Sequence, residues 1–372
     1  MPRPLHRLAP PPLLLAAIVA CSGPETAPPA ALLPPAADTI VAPYEGEVAA
    51  AAWLGGDRWA LVSPQDRTVG VADFGTHRIT PLGGPRGREL EQPFHLFRAG
   101  DSIYIADWQR RRQTAWSLDG RLGGALPAVD AYRGALPRAR DAGGRWYFEI
   151  WPAPGRDGRG NLDSAVVLRT DLRSATDTVA RLAPLDLAEV ISQGRRRMER
   201  RLLSGQDRWG ILPDGSLWVA RVAENRVDWR DTLGTIRAGP QLPDRVLPVT
   251  ENDRDLFLSR FDAGLRPSVA QVPFAAIKPP FEGAIPDAAG MLWLVKSRAV
   301  GDTLRTYQVV DQGGMLRREV SHAGLGHVIA LSATDALVAE PFEAGVRLLR
   351  FRLPPPPPVC SPGVASRSRD QP

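Results

Sequence analysis

One recurring pattern restricts the fold of this chain more than any other feature. A small polar or turn residue is followed by a short alternating strand with an aromatic or aliphatic centre. It reads DRWALVS (57–63), DSIYIAD (101–107), GRWYFEI (144–150), GSLWVAR (215–221), GMLWLVK (290–296) and DALVAE (335–340). Successive copies start 44, 43, 71, 75 and 45 residues apart. A second strand follows each copy and ends at an Asp or Gly turn, as in RQTAWSLDG (112–120) and RTYQVVDQGG (305–314). Period-two alternation with such punctuation is the hairpin signature. Further short strands precede several copies, among them PFHLFRAG (93–100), RWGILPDG (208–215), EGAIPDAAG (282–290) and HVIALSA (327–333).

Three or four strands per unit at the short spacings match one blade of a β-propeller. The two long spacings then call for insertions. Six units predict an all-β, six-bladed β-propeller over residues 41–353. The sixth unit lacks a strand, and IVAPYEGEV (40–48) is expected to supply it, since circular closure protects the last blade edge. Both insertions read as short helices. Asp186 with Glu189 forms a capping-box pattern before Val190, Ile191, Met198 and Leu202. Thr250 with Asp253 forms another before Leu256, Phe257, Phe261 and Leu265, bounded by Pro248 and Pro267. The alternative is two domains split near 185–205, against which the repeat resumes unchanged. With 37 prolines and 35 glycines in 372 residues, the composition suits strands and turns. Trp59, Trp146, Trp218 and Trp293 fall in the recurring strand, and Trp116 and Trp229 in the next, as inter-blade packing by large flat side chains requires.

Residues 84–122 carry the best copy, with glycines, a proline-led strand, a strand ending in Ala-Asp and a strand ending in Asp-Gly. This segment resembles an NHL-type propeller repeat. The resemblance covers most of 44–353 and implies a six-bladed propeller of the kind common among bacterial lipoproteins. It also implies an alternative activity, since some such propellers are lyases or lactone hydrolases with a channel-bound metal.

The N-terminus reads as an address. Arg3, His6 and Arg7 precede the apolar run PLLLAAIVA (12–20), which is too short to span a bilayer. The sequence Ile18-Val19-Ala20-Cys21 closely resembles a bacterial lipobox, in which the cysteine thiol takes a diacylglycerol and cleavage frees its amine for a further chain. Residues 1–20 are thus expected as a lipoprotein signal peptide and Cys21 as the lipidation site. Residues 21–40 are expected as a Pro/Ala-rich tether and 354–372 as a disordered tail. For a cell with two membranes, Ser22 in place of aspartate resembles the sorting signal for the outer one, where anchoring is expected. The only other cysteine, Cys360, leaves no disulfide framework.

Chemistry is sparse. Neither lysine, Lys278 or Lys296, follows a glycine, so there is no P-loop, and no serine sits in a G-x-S-x-G elbow. His322 and His327 have no glutamate between them and do not form H-E-x-x-H. Asp157, Asn161 and Asp163 approach calcium-loop spacing, but Arg159 and the missing final glutamate favour a solvated loop. The run from Arg195 to Arg201 is either a solvated face or a contact for lipid or an acidic partner. A net charge of +5 over 41 acidic residues is not a nucleic-acid footprint. Equivalent positions in different blades ring a propeller's channel. His95 and the strand-end residues Asp107, Arg221, Lys296 and Glu340 are therefore the candidate channel-mouth residues, serving either as a ligand site or as ion pairs between blades. No cofactor or metal is expected. The expected function is binding of a protein, peptide or glycan of the envelope, by a monomer.

Overall fold

The structure, a computed structural model, describes residues 30–83, 90–151, 164–173, 175–192 and 194–353. The signal segment, Cys21, Cys360 with its tail, and the loop with Asp157, Asn161 and Asp163 lie outside the described residues.

Six antiparallel four-stranded sheets form successive blades at 50–83, 93–127, 139–181, 208–238, 281–323 and 327–352. The last is completed by Asp38–Ala42, which pairs with Gly345–Arg352 in the register Ile40 to Leu348. The chain is a six-bladed β-propeller, closed by an N-terminal strand that begins before the expected segment 40–48 and shares residues 40–42 with it. The first strand of each blade is innermost. Ala50–Gly55, Pro93–Ala99, Ala139–Arg140, Arg208–Ile211, Phe281–Pro286 and His327–Leu331 touch their neighbours in a closed ring.

Part of the segment expected as a tether, 21–40, is strand. Ala30–Leu32 pairs in parallel with Leu316–Ala323 and adds a fifth strand to blade 5. The cause is apolar: Leu33 is 5% exposed in a cluster with Trp293, Tyr307, Val320 and Phe351.

The cores lie between blades. Apolar clusters fill the seams between blades 1 and 2, 3 and 4, 4 and 5, 5 and 6, and 6 and 1. Trp59, Trp116, Trp218, Trp229 and Trp293 are all buried in these seams. The seam between blades 2 and 3 is built differently. There Tyr104 and Trp146 meet edge to face at 5.1 Å, and the Arg140 guanidinium lies 4.9 Å from the Trp146 ring centre. A cation on an indole face supplies attraction where aliphatic filling is thin.

Antiparallel alternation puts the connections between blades on one face, along with the turns from second to third strands. Both insertions lie on that face. The first is not a helix. Leu187–Ser192 and Arg195–Arg200 form an antiparallel hairpin, with Gly194 at φ +72° in its turn. Two facts defeat the helical reading. Ala188 and Val190 are buried at a spacing of two, and glycine at positive φ breaks a helix but completes a turn. The acidic residues expected to cap a helix instead meet arginines across the hairpin: Glu189 reaches Arg196 at 3.5 Å and Asp186 reaches Arg201 at 3.2 Å.

The second insertion does contain the expected helix, Glu251–Leu258, with both halves of the Thr250–Asp253 capping box formed. It ends earlier than Pro267 implied. That proline opens a second short helix, Arg266–Val269, where its missing N–H costs nothing. The insertions are joined to each other: Leu202 N–H donates to the Pro273 carbonyl at 2.9 Å, and Ala275 N–H donates to the Leu202 carbonyl at 2.9 Å. Among the described residues no helix is long and apolar enough to cross a membrane.

Candidate ligand-binding cleft

The joined insertions form a cap over part of the insertion-bearing face. Between the cap and the inner strands of blades 4, 5 and 6 lies a cleft of about 930 Å³. That is within the range for small-ligand sites. Its floor is the channel mouth, where the inner strands begin with Arg208, Phe281–Glu282 and His327. Its wall includes Arg298 and Val300 from the connection after Leu292–Lys296, and Arg305 at the start of the next strand. The cap contributes Arg200 from the hairpin, and Leu256, Phe257 and Arg260 from the helical insertion.

One lysine holds cap and wall together. Lys278 donates to a carboxylate oxygen of Asp253 and, at 2.6 Å, to the Arg298 carbonyl. Both charged side chains are nearly buried, at 10% and 6%. Burial works to raise the Asp253 pKa, but hydrogen bonds from Lys278 and Thr250 outweigh it and hold the carboxyl below its ordinary value.

Seams at the inner ring are bridged by polar contacts. Arg208 Nη2 donates to the Glu282 carbonyl at 3.1 Å. His95 Nε2 lies 3.3 Å from the Arg138 carbonyl. Trp209 Nε1 donates to Glu149 at 2.8 Å. His327 Nε2 stands 3.6 Å from a Glu47 carboxylate oxygen. Burial first, then the Arg138 charge, lowers the His95 imidazole to about 4. His327 is also lowered, by burial and by Arg305, against the pull of Glu47.

The strand-end residues do sit on the cleft face, but they are spread over separate blades and each is held locally. Asp107 is fully buried and accepts from the backbone N–H groups of Glu91 (2.6 Å), Gln92 (3.2 Å) and Arg110 (3.0 Å). It staples the turn of blade 2 to the chain arriving from blade 1. Asp66 does the same in blade 1, accepting from Glu45 and Gly46 at 3.0 Å each. Arg221 donates to Asp207 at 2.8 Å, to Asp228 at 2.9 Å and to the Arg181 carbonyl at 2.8 Å. Lys296 pairs with Asp244 at 2.7 Å, and Glu340 with Arg347 at 2.7 Å. None of the four pairs with another of the four. His95 lies on the inner ring, in blade 2, and is not among the cleft-lining residues.

The sequence candidates Asp107, Arg221, Lys296 and Glu340 lie at or near the ends of second strands, one strand out from the inner ring. Arg208 and His327 open inner strands, so the first residue of each upstream strand was the available signal. Arg298 and Arg305 carried none, since their position depends on how the blade 5 connection folds back. Among the described residues no three His, Cys, Asp or Glu side chains gather as a metal-binding group.

No family model and no curated protein matches the sequence. Solved structures are similar at low identity. A gluconolactonase from Xanthomonas campestris shares 15% identity over 86% of this chain and 88% of its own, with a TM-score of 0.42. Virginiamycin B lyase from Staphylococcus aureus shares 10% identity, with 82% and 96% covered and a TM-score of 0.42. A DUF4221 family member from Bacteroides vulgatus shares 9% identity, with 85% and 96% covered and a TM-score of 0.47.

Proposed function

We propose that the protein is a lipid-anchored binding module of the cell envelope, with the capped cleft as its ligand site. The observation that carries this reading is the cleft itself. Two insertions from consecutive inter-blade connections are tied to each other and, through Lys278, to blade 5, enclosing a space over the channel mouth. Preformed concave sites of this size take ligands without a large ordering cost. The proposed anchor is Cys21, and the proposed address is the outer membrane, on the strength of the lipobox resemblance. With Ala30 paired in blade 5, eight residues separate it from the proposed anchor and can span at most about 28 Å. The propeller is then held close to the lipid. The protein acts as a monomer, and nucleic acid is not its ligand.

The cleft is tested by placing a photo-crosslinking residue at Val300, on its rim, in cells. A discrete adduct is expected there and not from Leu233, in a turn on the opposite face. Equal ladders from both positions would overturn the reading. So would one tightly bound divalent ion per purified chain, which would favour a lyase or lactone hydrolase with its site in the channel. For the anchor, Cys21→Ala is expected to move the protein from the membrane to the soluble fraction. Retention in the membrane would end that part of the proposal.

A further inference from the structure

Resting on the reading of the cleft as a binding site, we propose that its occupant is an acidic peptide with aliphatic side chains. Arg200, Arg208, Arg298 and Arg305 hold its carboxylates, and Leu256, Val300 and Leu325 hold its aliphatic groups.

The four arginines reach one cleft from separate pieces of chain: the cap hairpin, the inner strand of blade 4, and two places in blade 5. Several other arginines meet carboxylates, as Arg145 does with Asp141, Arg221 with Asp207 and Arg350 with Asp38. Among the described residues, none of the four has a carboxylate within ion-pair distance. Arg200 is occupied by neutral acceptors, Ser204 and Gln206. Arg208 has a backbone carbonyl. The Arg305 Nε is buried and has no partner at all. A buried donor left unpaired is costly unless something completes it.

The cleft's own acids do not fill this role. Asp253 is held by Lys278 and Thr250, Asp302 accepts the Ala299 N–H at 2.8 Å, and Glu47 lies beside His327. Glu282 is exposed and, with Glu47, favours the charged form of Arg305 from a distance. The balance still lowers these pKa values from the ordinary arginine value, while the guanidinium groups stay charged. Burial, then Arg298, lowers Arg305; burial, then Arg200 and Arg138, lowers Arg208 against Glu149; burial lowers Arg200 against Asp186. A bound carboxylate offsets the desolvation and the mutual repulsion of the arginines, and guanidinium groups match carboxylates in two-pronged geometry.

The rim decides the kind of anion. Leu256, Val300 and Leu325 are 50%, 44% and 70% exposed around a charged centre. Sugar rings are usually received on exposed aromatic faces. Here Phe281 is 1% exposed, and Phe257 is turned to Phe261 and Phe274. Alternating carboxylates and aliphatic groups are what a peptide offers.

The test is fluorescence anisotropy of the full-length protein with a labelled octapeptide alternating glutamate and leucine. Saturable binding is expected, weakening with added salt. Arg298→Ala with Arg305→Gln is expected to weaken it by about 10- to 100-fold, with the thermal midpoint unchanged or raised. Arg305→Lys should recover part of the loss. Equal binding of the glutamine–leucine peptide would overturn the role of charge while the cleft remained a binding site. Binding of hexagalacturonate but not of the acidic peptide would replace the peptide with an acidic glycan. Wild-type affinity in the double variant would overturn the arginine assignment. If no probe binds yet the Val300 crosslink still forms, this inference fails and the binding reading survives. If the crosslink fails as well, both fall.

Discussion

Arg221 in blade 4 and Arg305 in blade 5 sit on the same face of the propeller, and their surroundings are opposite. Arg221 is enclosed by Asp207, Asp228 and the Arg181 carbonyl. Arg305 has a buried Nε with no acceptor, and its nearest charged influences include another arginine. The first arrangement fastens blades together. The second leaves binding capacity unused. A charged residue at a regular repeat position therefore says little about recognition. The informative place is where the complementary charge is missing.

That contrast can be broken or sharpened by four measurements. The largest effect is expected for Asp207→Ala. The carboxylate is 1% exposed, and its loss leaves Arg221 with Asp228 as its one carboxylate and strands the N–H groups of Ala183 and Val222. Chemical denaturation should show a loss of about 3–5 kcal/mol; a loss below about 1 kcal/mol would make the pair an ordinary surface bridge. Next is Lys278→Met, which leaves Asp253 charged and nearly buried. A local loss of about 1.5–3 kcal/mol is expected. Hydrogen exchange should speed up across 250–258 before the blades open, and uniform exchange across the chain would refute Lys278 as the fastening of the cap.

A smaller effect belongs to His95. Its folded pKa near 4 lies below the ordinary value of about 6.5. As pH falls through about 6.5 the unfolded chain takes up the proton first, and the folded state follows only near 4. Stability should therefore decline across that window in the wild type. His95→Gln should flatten the decline, and an identical pH profile would show the imidazole to be ordinarily solvated. The smallest effect is Arg305→Gln, within about 0.5 kcal/mol of wild type or slightly stabilising. A loss like that of Asp207→Ala would show that Arg305 is structural after all.

The sequence carried the architecture well because blades repeat. Trp218 and Trp293 recur at equivalent positions, and each packs the seam with the next blade, so periodicity and packing report the same fact. The closing strand was legible for the same reason, as the one piece the sixth unit lacked. The hairpin at 187–200 was misread because Asp186 and Glu189 satisfy a helix-capping pattern locally. Cross-strand pairing with Arg196 and Arg201 appears only once the chain turns at Gly194. The cleft was hidden more deeply. Arg200, Arg208, Arg298 and Arg305 have no common spacing, and their meeting depends on two unrelated insertions folding over one face.

The pairing of Asp38–Ala42 with Gly345–Arg352 also sets an order of events. Asp38 and Arg350 are 312 positions apart, yet they share a ladder and an ion pair. Contacts at such separation carry a high loop-closure entropy and form late. The four sequential strands of each of blades 1 to 5 can assemble from neighbouring segments as each becomes available, with only Ala30–Leu32 joining blade 5 from afar. The sixth cannot be completed until nearly the whole chain is present, because its outer strand comes from the beginning and its other three from the end. The ring therefore stays open through most of folding, with a free edge on the last blade. The slow step is expected to be this closure, so a truncation before Gly345 should yield blades that form but a circle that does not.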